Sequence, residues 1–563
     1  MKKSLFLGAF TAIVLCFVSC SLNELNPPSP SESHFGKLVG GIDKLQTWNL
    51  AQKQSVTVSV SSESLINVYA LNGSSHSIVA RKTINGTETV YFDAIQGLES
   101  VIVFNLNGGK FKTVNVGGRV SFPSTKAVIG GNTVIGTETV SDYSEFSYDV
   151  VSEDVYTDAF KSLESASPFF YSKSGTFTLY PCWYTSESGN SATLGIYYYE
   201  NGNIVEVPVF ANDKTNDWLQ YKAPVSWGGC WQTYTDAHMS SMGTMSSEIN
   251  SYRSKGIKVS VPANTAFGFY VIGNDQNAKY YSEELPYSFG ADWMSGNLNN
   301  WLAWGNPKYI NGQKEYFGHI ACIDVEGRKY LACDDGCEII NGRGATTPQY
   351  YHMVFSIDGD LTDRFVDDED PEGDPVDPNS GKLSNDTLSW ILACEDLGEN
   401  ADYDFNDVVL KISHVAGSTT ASVSLLAAGG TLADFIFFGD DCLGEVHDLF
   451  GDTVVKTVNT WNKQNTLVKT PVYIGCVTVP EDFTMTDENM GGFTIRRGDI
   501  EGVVAAPQKG NVPYMICVPD SWKWPEELTS IVDAYPDFAG WCNDHTSNLD
   551  WYKNYVKEKV FNR

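Results

Sequence analysis

The run from Glu395 to Asp407 gathers Glu395, Asp396, Asp402, Asp404, Asn406 and Asp407 into one short loop directly ahead of the apolar Val408-Val409-Leu410 and Ile412. Carboxylates at this density repel one another, so a fold that collects them must either solvate the loop or supply a cation. Asp402, Asp404 and Asn406 alternate as in the first half of a D-x-[DN]-x-[DN] calcium loop, and Ca²⁺ takes roughly six to eight oxygen ligands at adjustable geometry. The helix-loop-helix version is excluded. No Gly follows Asn406, and Ser413 stands where the twelfth-position Glu belongs. The expectation is a Ca²⁺ site at the edge of a β-sheet, with Asp402, Asp404 and Asn406 as principal ligands. Glu395 and Asp396 would close the cage from the preceding strand, and Asp407 would either ligate or hold backbone amides. Tyr403 and Phe405 alternate with these residues and are expected to pack inward. The plain alternative is a solvated turn whose Asp and Asn merely favour loop backbone.

The rest of the chain reads as mainly β. Fifty Gly, many Tyr, Phe and Thr, and short alternating apolar runs between turn residues point to several antiparallel sheets, and 563 residues allow about three domains. Ser55 to Val60, Ile66 to Tyr69, Thr89 to Phe92 and Val101 to Phe104, with turn signals at Asn72-Gly73, Asn85-Gly86 and Asn107-Gly108, predict a β-sandwich over residues 37–122. Residues 123–415 are expected to form the calcium-type sandwich, with a short helix near Glu153 to Glu164. Thr176 to Tyr180, Leu194 to Tyr199 and Phe267 to Ile272 are strands for the sheet that receives the acidic loop. An acidic, Pro-rich insert at 367–380 cannot form a packed strand and reads as a solvated loop, a second calcium site being the alternative. Residues 416–563 are again strand-rich, either a further domain or one unit with the preceding one, and Pro525-Glu526-Glu527-Leu528 carries the signature of a helix start. The predicted class is multidomain, antiparallel β-sandwiches or jelly-roll-like sheets with a few short helices.

The run Cys394-Glu395-Asp396-Leu397, followed by Asp402-Tyr403-Asp404-Phe405-Asn406-Asp407, resembles the E-D-L … D-x-D-F-N-D signature of LruC-domain-containing bacterial lipoproteins, a largely uncharacterised family. Further matches follow in the family's order: Ala427 to Leu432, Gly444 to Gly451, Cys517 to Glu526, Asp533 to Pro536 and Trp551-Tyr552, with Val261 to Phe269 in the middle of the chain. The resemblance implies a calcium-type β domain on a secreted lipoprotein, with residues 416–563 as the LruC-type part, and it supplies no known reaction.

Lys2 and Lys3 precede an apolar run from Leu5 to Val18 that stops at Ser19-Cys20, the pattern of a lipoprotein signal peptide over residues 1–19. The mature chain is then expected to begin at Cys20, acylated, followed by a polar tether over 20–36, and to sit on the outer membrane facing the surface. The alternative is an uncleaved anchor. The formal net charge of −31 argues against nucleic acid, because an acidic surface repels phosphate backbones; it suits divalent cations and uncharged partners such as glycans, or plain solubility. Apart from Cys16 and Cys20, the remaining cysteines are scattered, and only Cys333 and Cys337 are spaced for a local disulfide.

Catalytic signatures are weak. Glu445 and His447 would share a strand face as a metal or acid-base pair, against the simpler reading of a hydrogen-bonded structural histidine. Gly-x-Ser-x-Gly and phosphate-binding loops are absent, and Trp218, Trp227, Trp231, Trp293, Trp301 and Trp304 serve equally as core or as a sugar platform. The preferred expectation is a non-catalytic surface lipoprotein for adhesion, with a glycan or a surface protein as partner. A secreted glycan-active hydrolase and a structural part of a surface assembly are the alternatives.

Overall fold

The computed structural model describes residues 30, 32–123, 134–139, 167–184, 193–211, 255–272, 279–283, 320–333, 353–363 and 383–562, with short interruptions at 73–74, 201–202, 326, 399–400, 415–417, 452–455, 464–465, 470, 486–489, 491 and 499–502. Cys20, the signal and most of the tether, the predicted helix at Glu153 to Glu164, the six tryptophans named above, Cys337 and the 367–380 insert lie outside the described residues. The fold is mainly β, with several antiparallel sheets and few short helices. Among the described residues no helix is long and apolar enough to cross a membrane.

The first strands are β1 (Ala51–Val60), β2 (Ser64–Asn72), β3 (Ser75–Ile84), β4 (Thr87–Ile95), β5 (Ser100–Asn105), β6 (Lys110–Asn115) and β7 (Arg119–Phe122). They form two layers, a sheet of order β4-β1-β7 and a sheet in which β3, β2, β5 and β6 are successive neighbours. Val56 and Val58 of β1, Val68 of β2, Val90 and Phe92 of β4 and Val103 of β5 meet in one core, the period-2 pattern that the sequence shows. Asn85-Gly86, with Gly86 at φ 78°, is a corner that carries the chain from one layer to the other.

A second sandwich uses β8 (Val134–Thr139), β9 (Tyr171–Tyr184), β10 (Thr193–Glu200), β11 (Asn203–Ala211), β12 (Lys255–Ser260), β13 (Gly268–Ile272), β14 (Lys279–Tyr281), β15 (Ile320–Val325), β16 (Arg328–Cys333) and β17 (Met353–Thr362). Its sheets run β11-β10-β13-β14 and β15-β16-β17-β9-β12-β8. Cys333 is fully buried in the core of this unit. The chain then lays β18 (Leu383–Thr387) parallel to β3 on the edge of the first sandwich.

The third unit comprises β19 (Ser389–Cys394), β20 (Val408–His414), β21 (Thr420–Ala427), β22 (Asp434–Phe438), β23 (Asp441–Glu445), β24 (Val472–Thr478), β25 (Phe493–Arg497), β26 (Val503–Val504) and β27 (Met515–Pro519). The sheet β24-β21-β20-β19-β27 faces the sheet β23-β22-β25-β26. Trp390 and Leu392 point into the core between these layers, while Ile391 and Ala393 point into a second core on the opposite face. Burial on both faces explains why β19 is a continuous apolar run rather than an alternating one. The boundary drawn at residue 415 falls between β20 and β21, hydrogen-bonded neighbours in one sheet, so the strands on either side form one unit.

The second core is closed by an aromatic cap from both ends of the chain. Helix α1 (His34–Val39), capped by Ser33 Oγ accepting from the Gly36 N–H, inserts Phe35 between Trp48, Tyr403 and Phe538. The tether therefore ends before residue 36: Ser33 and Phe35 are buried, because an apolar ring at this position has a core to enter. Helices α2 (Val446–Leu449), α3 (Ile531–Ala534) and α4 (Phe538–Asn543) are short, and α3 and α4 belong to the cap. Gln46 Nε2 donates to the Trp541 carbonyl at 2.7 Å, and Asp43 pairs with His545 at 2.5 Å.

Asp93 lies where the first sandwich meets the third, beside Trp390, His414 and Met485. Its Oδ2 accepts from the Met485 N–H at 2.6 Å, whereas Oδ1 has no partner among the described residues. Burial pushes the carboxyl up to about 7, against lesser opposing effects of the Met485 N–H, Trp390 and Lys53, and burial also lowers His414. A folded value above the unfolded one means that this stabilisation is full below about pH 4 and is lost as pH rises through 7. The melting temperature of Asp93→Asn minus that of the wild type, measured in calcium, should therefore rise between pH 4 and 7; a pH-independent difference refutes this.

Candidate metal centre

The acidic loop connects β19 to β20 across the end of the five-stranded sheet of the third unit, where Cys394 stands opposite Val408. The middle-region strands at 176–180, 194–199 and 267–272 do not receive it. They build the second sandwich, because the chain leaves that unit after β17 and passes along the first one before β19 begins. Tyr403 and Phe405 adopt left-handed backbone at φ 57° and 54°, and both rings are fully buried in the cap. Non-glycine residues in that region cost on the order of 1 kcal/mol or more each, so the surroundings must hold them there. The Phe405 N–H donates to Glu395 Oε1, and the Ile531 N–H to the Tyr403 carbonyl at 2.8 Å.

With the two rings turned inward, the intervening polar side chains converge on the opposite side. Asp404 Oδ1 accepts from the Asn406 N–H at 3.2 Å and its Oδ2 from the Leu528 N–H at 2.9 Å; Asp407 Oδ2 accepts from the Asp396 N–H at 2.7 Å. One oxygen each from Glu395, Asp402 and Asp404 lie within 4.8 Å of one another, the spread expected of ligands at about 2.3–2.6 Å from one calcium ion. Asn406 Nδ2 donates to the Pro525 carbonyl at 3.2 Å, which fixes the amide so that Oδ1 faces the cluster, buried and without a partner among the described residues. Asp396 and Asp407 belong to the same buried group, so all six sequence-selected residues are gathered here.

Two further carboxylates join them. Asp434 opens β22, fully buried, and among the described residues neither of its oxygens meets an N–H or hydroxyl donor; Glu527 brings an Oε2 from the segment before α3 that likewise meets none. Neither was among the residues selected from the sequence. Glu527 sits in the stretch read as a helix start, but Pro525 instead bridges Val560, and Leu528 turns to φ 62° to give its N–H to Asp404. Asp434 carried one overlooked signal, an acid between Ala433 and Phe435 in an otherwise apolar strand.

Electrostatics follow from this crowding. Burial first, then neighbouring carboxylates, hold Glu395, Asp404 and Asp407 well above the usual carboxylate range and raise Asp402. Asp434 is pushed up to about 9 by burial and then by Asp396, and Glu527 up to about 7, chiefly by burial. These groups cannot all ionise in this volume without a positive partner. Protonation relieves carboxylates but not Asn406 Oδ1, since an amide oxygen stays an acceptor. The donor set of carboxylates and one amide oxygen fits a hard divalent cation.

The segment that delivers Glu527 and Leu528 also carries Ile531, α3, α4 and Trp551 of the cap. Residues 506–552 match a family described as a domain of unknown function (DUF4842). No curated protein and no solved structure matches the chain. The DUF4842 match thus spans the backing of the acidic loop and one of its carboxylates, and leaves Glu395 to Asp407 outside it.

Glu445 and His447 do not share a strand face. Glu445 ends β23 and caps α2, its Oε2 accepting from the Asp448 N–H at 2.7 Å. His447 lies in α2 with Nδ1 2.9 Å from Glu445 Oε1 and Nε2 3.1 Å from the Gly430 carbonyl. Both ring nitrogens are engaged, so the pair braces the Gly429-Gly430 turn beside the acidic centre instead of offering a ligand.

Proposed function

We propose that this chain is a non-catalytic cell-envelope lipoprotein of the LruC-domain type, anchored through Cys20 to the outer membrane, whose calcium-stabilised third sandwich supports adhesion or recognition at the cell surface. The observation that carries the calcium part is Asn406 Oδ1, a buried amide oxygen amid carboxylates with no hydrogen-bond partner among the described residues. A cation satisfies it and the carboxylates together. The ligand side chains are pinned by backbone N–H groups from three segments, an arrangement that ties loops in place and suits a structural ion better than one exchanging with substrate. The signal pattern at Lys2, Lys3 and Ser19-Cys20 supports export and lipidation. The acidic charge favours a glycan or a surface protein over nucleic acid as the partner.

Cys20→Ala should release the protein from the membrane fraction, and the wild-type amino terminus should carry acyl chains by intact-mass analysis. Purified protein screened on glycan arrays and polysaccharides should bind in calcium, lose binding in chelator and turn over nothing. Turnover of a glycoside, abolished by one carboxylate substitution, would establish the hydrolase instead.

A further inference from the structure

We propose that the acidic centre holds a second divalent cation, seated between Asp396 and Asp434 over the bare backbone of Gly430. This rests on the calcium reading of Glu395, Asp402 and Asp404 and extends it to a position that those three residues do not form. Their oxygens make one group within 4.8 Å, and Asp396 and Asp434 are not part of it. Yet Asp396 is 2% exposed and Asp434 is 0% exposed, the two carboxyl groups lie against each other, and among the described residues none of their four oxygens accepts from an N–H or hydroxyl donor. One ion on the first group leaves these oxygens as they are. Arg497, near Asp434, gives its Nη1 to the Asp396 carbonyl oxygen at 3.2 Å.

Gly430 marks where the second ion would sit. A Cβ at this residue would stand 2.7 Å from Asp396 Oδ2 and 3.1 Å from Asp434 Oδ2, so the two carboxylates flank the space that any side chain here would fill. Gly430 does not adopt positive φ, so its backbone does not require glycine. What requires it is the room between the oxygens. The adjacent Gly429 is bare in the same way: its Cβ would meet Asn406 Oδ1 at 1.9 Å and Glu527 Oε2 at 2.9 Å. The two glycines form a floor on which four oxygen-bearing side chains converge, and His447, bonded to the Gly430 carbonyl, holds that floor in place. A hard cation such as Ca²⁺ is the species that two facing carboxylates and an open floor accept.

Calcium bound per chain, counted on the chelated and reloaded full-length protein by metal analysis and by calorimetric titration, tests this. Wild type should bind two ions, and Asp434→Asn and Gly430→Ala one each. Gly430→Ala adds only a methyl group at the proposed position and serves if Asp434→Asn fails to fold. One ion in the wild type, unaffected by either variant, overturns the second site and leaves the first standing. Two ions retained in both variants overturn the placement. Loss of both ions in Gly430→Ala shows a single shared cage and overturns it too. No calcium in the wild type removes this inference and the reading beneath it together.

Discussion

Stripping calcium is expected to lower the melting temperature of the third sandwich by roughly 5 to 10 °C, with full recovery on adding excess calcium. A ligand that binds only the folded state contributes RT ln(1 + [L]/Kd), roughly 2.7 kcal/mol at a hundredfold excess over Kd. A unit of this size shifts by about 2–4 °C per kcal/mol. Magnesium should do less, since it keeps its waters and demands a stricter octahedral shell. Asp404→Ala should abolish the calcium gain, because Asp404 is one of the three residues whose oxygens lie within 4.8 Å of one another. It also removes the acceptors of the Asn406 and Leu528 N–H groups, so the chelated variant should melt below the chelated wild type. A wild-type melting curve that does not move with calcium after thorough chelation would reduce the loop to a buried set of protonated acids, and the functional proposal would lose its footing.

Phe35→Ala should cost about 3–5 kcal/mol, the range for truncating a fully buried Phe. Phe35 is 0% exposed and touches the rings of Trp48, Tyr403, Phe405 and Phe538. Its loss leaves a cavity directly behind the two residues whose left-handed backbone aims Asp404 and Asn406. The variant should therefore show two effects at once: faster limited proteolysis between residues 36 and 47, and weaker calcium affinity. Destabilisation without any change in calcium affinity would mean that the cap and the loop are energetically independent.

Much of this was legible in the chain. Alternation in β1, β2 and β5, with turn residues between them, identifies a sandwich because a half-buried strand shows a period of two. Asp402, Asp404 and Asn406 announce an oxygen-rich site because ligands from one short loop are neighbours in sequence. Asp434 and Glu527 were not legible, since they reach the same place from segments separated by long stretches of chain, and no local spacing records that approach. The attribution of the acidic loop to the middle strands failed for a related reason. Apolar runs report that a strand is buried, not which sheet it joins. Likewise Pro525-Glu526-Glu527-Leu528 has the local preference of a helix start, overridden by the Leu528 N–H bond to Asp404.

The joining of residues 33–50 to the cap fixes an order of events in the life of the chain. Asn49 pairs in parallel with Cys517, Leu50 donates to the Cys517 carbonyl at 2.9 Å, and Phe35 and Trp48 rest on Phe538 and Trp541. A polypeptide emerging from the ribosome delivers its amino-terminal end first, so these apolar residues wait for partners that arrive hundreds of residues later. The first and second sandwiches can form meanwhile from contacts nearer in sequence, but the third cannot close its outer face until the last segment is out. A ribosome that stops before residue 516 thus releases a product with two folded modules and an exposed aromatic strap, the kind of species that proteases and chaperones recognise.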